Sequence, residues 1–111
     1  IKHWQLEAKQ YLSNKTLLEA AQALIKPSQA STYNRAIEVA KRVTVSQPGY
    51  AIAQQSISQW SQEILQLAKN RANNNQYSSA IATATLAPEG TAAYAEAQEL
   101  IKQWQKLVQS N

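Results

Sequence analysis

The chain has 111 residues and a mass of 12.3 kDa, and eleven Lys and Arg against seven Asp and Glu leave it at +4. It lacks Cys, Met and Phe, carries one His and two Gly, and draws 34 residues from Ala and Gln alone. This composition excludes disulfide scaffolds, Cys-ligated metal centres, a glycine-rich phosphate loop, collagen-like chains and a membrane span, and it fits a single small domain.

Apolar residues recur at helical spacing from one end to the other, so the chain reads as all-α. Trp4, Ala8 and Tyr11 share a face, Ser13-Asn14-Lys15 is polar, and Thr16-Leu17-Leu18-Glu19 matches a capping box. Residues 2–26 therefore form either two helices, near 2–13 and 16–26, or one long one. Pro27 ends this segment, and residues 28–31 are a connector. The next helix carries Tyr33, Ala36, Ile37, Ala40 and Val43, with Glu38 and Arg42 as an i,i+4 ion pair. Gln47-Pro48-Gly49 breaks it, and Pro48 suits the start of the following helix. Tyr50, Ala53, Ile57, Trp60, Ile64 and Leu67 then form one apolar seam, and Asn73-Asn74-Asn75 ends the helix. A shorter helix holds Tyr77, Ala80, Ile81 and Ala84, and Ala87-Pro88-Glu89-Gly90 interrupts it. Thr91 opens the last helix, whose seam is Tyr94, Ala97, Ile101, Trp104 and Val108.

Residues 33–64 and 77–108 align without a gap at an offset of 44, with 11 of 32 positions identical, among them Tyr33/Tyr77, Ala40/Ala84, Tyr50/Tyr94 and Trp60/Trp104. The chain thus divides into a first unit (1–45), a second (46–89) and the opening helix of a third (90–111). Ile1-Lys2-His3-Trp4 repeats the Ile-x-x-Trp element 56 residues before Ile57, which gives the first unit about 12 additional residues, assigned to Thr16–Lys26. The expected architecture is a stack of antiparallel helix pairs, five or six helices in all. Ile-x-x-Trp at both ends suggests an excerpt of something longer, whose Trp4 and Trp104 faces self-associate when not covered by further repeats.

The run Leu67-Ala68…Ala72…Tyr77-x-x-Ala80-Ile81-x-x-Ala84-x-x-Ala87 resembles the tetratricopeptide (TPR) consensus, and Tyr33, Ala36, Ile37 and Ala40 repeat its second half. The period of 44 departs from the 34 typical of that family, and Trp60 lies about a turn early. The Ala- and Gln-rich style is similar to helical repeats in large proteins of photosynthetic bacteria. The resemblance implies a TPR-like α-solenoid that binds peptides or proteins and carries over no catalytic residue. It also implies a groove lined by the longer helices, with Gln62, Lys69 and Asn73 in the second unit and Gln5 and Lys9 in the first facing the partner.

Aromatic residues in a basic chain could stack on nucleic acid, but Trp60 and Trp104 fall in register with aliphatic seams, which favours packing. All of the excess positive charge lies in residues 1–42, where seven bases face three acids; the remainder is neutral, and a nucleic-acid groove would need a denser stripe. The basic end reads first as an ordinary solvated face, with an acidic partner surface as the next reading. His3 stands alone, the carboxylates are scattered, and no base accompanies the Ser and Thr residues, so neither a metal site, a cofactor nor an enzyme is expected. Asn14-Lys15-Thr16 is a glycosylation sequon that reads better as a helix boundary. The absence of Cys and Met suits an oxidising compartment as well as the cytoplasm. The reading is a non-catalytic protein–protein interaction scaffold, with a structural or oligomerisation spacer as the alternative.

Overall fold

A computed structural model describes residues 2–110, with side chains from Ala8 onward. Trp4, Gln5 and His3 therefore lie outside the described side chains. The described residues form five helices and no strand: α1 (Lys2–Ala23), α2 (Ala30–Ala40), α3 (Tyr50–Asn73), α4 (Tyr77–Ala84) and α5 (Tyr94–Gln109). Short connectors turn each helix back along the last, and consecutive helices stack into a body of 66 × 23 × 13 Å.

α1 is one unbroken helix, so the capping-box match at Thr16–Glu19 falls in its interior. The reason lies at Asn14, read from sequence as a boundary. Its amide is 4 % exposed, accepts a hydrogen bond from Gln10 at 3.0 Å and donates to the Pro48 carbonyl at 2.8 Å. A residue that would otherwise compete with the helix is thus spent on a tie to the α2–α3 connector. The same burial leaves Asn14 inaccessible as a sequon. Residues 24–29 form the α1–α2 connector, so the segment assigned to the additional residues is mostly helix.

Two connectors carry the same backbone wiring. Lys41, Arg42, Val43, Gln47, Tyr50 and Ala53 donate to Ile37, Val39, Ala40, Thr44, Gln47 and Gly49. Thr85, Leu86, Ala87, Thr91, Tyr94 and Ala97 donate to Ile81, Thr83, Ala84, Pro88, Thr91 and Ala93, each bond 44 residues further on. Both helices that follow begin at the tyrosine, Tyr50 and Tyr94, rather than at Pro48 and Thr91 as the sequence suggests. Pro48 and Gly49 occupy the middle of a turn closed by Tyr50 N–H, and Gly49 supplies the positive φ of 88° that a type II turn needs after proline. In the second connector Gly90, φ 85°, takes the equivalent place one turn earlier, and the Thr91 hydroxyl donates to the Pro88 carbonyl instead of capping α5. Val43 lies beyond the end of α2 yet is 1 % exposed, so the connector contributes to the core.

The core is built around α3, flanked by α2 on one side and α4 on the other. Of the predicted seam, Ile57, Trp60, Ile64 and Trp104 are buried, while Tyr50, Leu67, Tyr94 and Ile101 are half-buried. A second buried strip on α3 lies beside it, Ser61, Leu65, Ala68 and Ala72, of which only Ala68 and Ala72 stand out in the sequence, in the run that resembles the TPR consensus. A seam search finds one narrow strip, whereas a helix that packs against two neighbours buries a broader face. Ser61 fits there because its hydroxyl donates to the Ser58 carbonyl at 2.8 Å. Alanines at the positions 44 residues apart, Ala36/Ala80, Ala40/Ala84 and Ala53/Ala97, are all fully buried, and small side chains let the helix backbones approach closely. At the surface, Tyr11 is 46 % exposed, and Val108, on the predicted last seam, is 40 % exposed in a groove beside Ser78 and Ile81. Arg42 lies past the end of α2, and Glu38 pairs with Lys41 instead, at 3.5 Å.

Gly49→Ala should lower stability by about 1 kcal/mol through backbone strain alone. A Cβ there would meet only ordinary contact, Asn14 Cβ at 3.8 Å. Chemical denaturation of the variant checks this, and Gly49→Asn should be milder. Burial, and then the neighbouring Glu63 carboxylate, raise the Tyr33 phenol above its usual 10.0. The folded state therefore holds its proton where the unfolded chain has lost it, so stability falls as pH rises from 10.0 toward the raised value. Tyr33→Phe should flatten that alkaline slope, read by denaturation midpoints across the range.

Candidate binding face

The long helices α1, α3 and α5 leave one side of the stack uncovered by α2 and α4. At 100° per residue, roughly, Gln59, Gln62, Gln66, Asn70 and Asn73 fall on the open side of α3. All are exposed, and Gln66 donates to Asn70 at 3.0 Å along the helix. These five positions are amides, rich in both donors and acceptors, and the exposed Glu63 borders them along one edge. Ties on either flank hold its neighbours. Asn14 joins α1 to Pro48 on one side, and Lys69 bridges to Glu96 of α5 at 2.7 Å on the other.

Between α1 and the first turns of α3 lies a groove of about 290 Å³, bordered by Gly49 and lined by Tyr11, Leu18, Ile52, Lys15, Glu19 and Ser56. Its apolar side chains are uncovered: Ile52 is 52 % exposed and Leu18 half-buried. Lys15 and Glu19 give it one charge of each sign. The groove opens onto the amide positions further along α3.

The predicted contact residues divide. Gln62 and Asn73 are exposed on the α3 face. Lys69 lies beside them but is held by Glu96, so its charge is already matched. Lys9 is exposed, but it sits two residues from Tyr11, roughly 200° around α1, and so turns away from the groove. Gln5 lies outside the described side chains. Sequence reasoning missed Tyr11, Leu18 and Ile52. Ile52 did carry a signal, an isoleucine off the seam between Ala51 and Ala53.

A second cleft, of about 320 Å³, opens on the opposite side between the α1–α2 connector and α4. Arg71 crosses it, donating to the Thr83 hydroxyl and to the Ser28 carbonyl at 3.5 Å. Thr83 in turn donates to the Ser79 carbonyl at 2.8 Å. Arg71 is therefore a strap between layers rather than an open cation. Glu99 pairs with Lys102 at 3.8 Å, and no group of three His, Cys, Asp or Glu converges among the described residues. No helix among them is long and apolar enough to cross a membrane.

No protein-family model, curated protein or solved structure matches the chain at a significant level.

Asn14→Leu should destabilise the chain by about 1–3 kcal/mol, because it leaves the Pro48 carbonyl without its donor. The loss should appear in thermal denaturation. Lys69→Ala, which breaks only a part-exposed ion pair, should cost less than about 1 kcal/mol in the same assay.

Proposed function

We propose that the chain is a non-catalytic protein–protein interaction scaffold built from TPR-like helical repeats. The observation that carries this reading is the uncovered face of α1 and α3, where an apolar groove at Tyr11, Leu18 and Ile52 runs into a track of exposed amides. Stacked helix pairs leave such a surface because one helix of each pair packs outward and the other lines the inner side. The 44-residue recurrence in sequence, matched by two connectors with the same hydrogen bonds, supports reading the helices as units of one repeat.

The partner is an extended or short helical peptide segment with an apolar side chain for the groove and polar groups for the amides. The basic character of residues 1–42 favours an acidic partner, with Lys15 nearest the groove. The spacer reading draws on a different observation, the exposed Leu107 and Val108 on α5. Trp104 gives it no help, because that side chain is 6 % exposed within the stack and presents no face.

A random peptide library selected on the intact chain should yield sequences with an apolar anchor and a surplus of acids. Ile52→Glu and Leu18→Glu should each weaken the selected peptides at least about tenfold in titration calorimetry, a loss of about 1.4 kcal/mol. Both sites are partly exposed, so the variants should stay folded. Unchanged affinity in both would overturn the assignment of this face.

A further inference from the structure

The 44-residue register pairs two grooves within the same molecule. One lies between α4 and α5, has a volume of about 390 Å³, and is lined by Ser78, Ile81, Gln105, Val108 and Gln109. The positions 44 residues earlier are Asn34, Ile37, Ser61, Ile64 and Leu65, on α2 and α3. Those earlier residues are sealed. Ile37, Ile64, Leu65 and Ser61 are among the most deeply buried side chains in the chain, and Asn34 donates to the Leu86 carbonyl, just past the end of α4, at 2.7 Å. The element that packs along α3 on that side is α4, whose inward residues Ala80, Thr83 and Ala84 are small. In the later groove the equivalent residues are open: Val108 is 40 % exposed, and Gln105 and Gln109 are exposed.

We propose that the α4–α5 groove is a docking site for a short alanine-rich helix with the side-chain pattern of α4, Tyr-x-x-Ala-Ile-x-x-Ala. The occupant follows from the precedent inside the molecule, because α4 packs on the α3 side of the matching site one register earlier and is tied to its α2 side through Asn34. Shape supports it too. Small side chains at every third and fourth position let a helix settle against Ile81 and Val108, as Ala80 and Ala84 let α4 settle on α3. The later groove is wetter than the earlier one, with Gln105 and Gln109 in place of Ser61 and Leu65. Those amides stand ready to hydrogen-bond the polar side of the incoming helix, and they weaken the site relative to its precedent. The inference uses the repeat register that the scaffold reading also uses, but it concerns a different surface.

The test is to lengthen the chain in register, adding a copy of residues 68–90 after Asn111, so that the new helix is tethered beside the groove at high effective concentration. The thermal midpoint should rise by at least about 4 °C, and the added Ala-Ile-Ala segment should gain protection from amide exchange. Val108→Lys in the lengthened chain should cancel most of that gain, while in the natural-length chain it should move the midpoint little, since Val108 is already part-exposed. An unchanged midpoint, or a gain that survives Val108→Lys, would overturn the proposal. Peptide affinity at the α1–α3 face, measured on the same proteins, separates this result from the scaffold reading, because that face is left intact in every arm.

Discussion

Everything in this fold depends on α3 burying one broad face against two helices at once. A helix of 24 residues with Ile57, Trp60 and Ile64 on one strip and Ser61, Leu65, Ala68 and Ala72 on the next cannot stand alone in water. It needs α2 and α4 together. The alanines that line the contacts provide little apolar area each, so close approach of backbones and dispersion between well-packed surfaces must compensate. That constraint explains the composition: small residues fill the seams, and glutamine covers the outside without adding charge.

Geometry then sets which arc of α3 is left open. With two strips of α3 committed to packing, one arc remains open, and it carries the amides. The ties at Asn14 and at Lys69–Glu96 hold α1 and α5 to either side of that arc, so the face is preorganised. The Arg71 strap on the far side joins the end of α3 to α4 and to the α1–α2 connector, which stiffens the layer that supports the face.

Much of the fold was legible in the sequence, and the losses have identifiable causes. The apolar period located α3 and its end at Asn73–Asn75, since asparagine tolerates the left-handed backbone that Asn75 adopts at φ 63°. Helix starts were read two or three residues early, because Pro48 and Thr91 are good helix openers that two consecutive turns used instead. The continuity of α1 was undecidable locally, since the partner that absorbs Asn14 is a carbonyl 34 residues away. The second strip of α3 was legible only in part: Ala68 and Ala72 fall in the run that resembles the TPR consensus, while Ser61 and Leu65 lie off the single seam that the apolar period picks out. The candidate face was half legible. Its amides follow from helical phase, but the groove beside them depends on Tyr11, Leu18 and Ile52 being left uncovered, and exposure of an apolar residue is set by tertiary packing alone.

Native-state hydrogen exchange tests the central role of α3 most directly. Amides from Ile57 to Ala68 should exchange only through global unfolding, and should be the slowest in the chain, with α1 and α5 opening at lower free energy. Exchange in that segment as fast as in α1 would contradict the account, because it would mean that the stack does not depend on a centre packed against two helices.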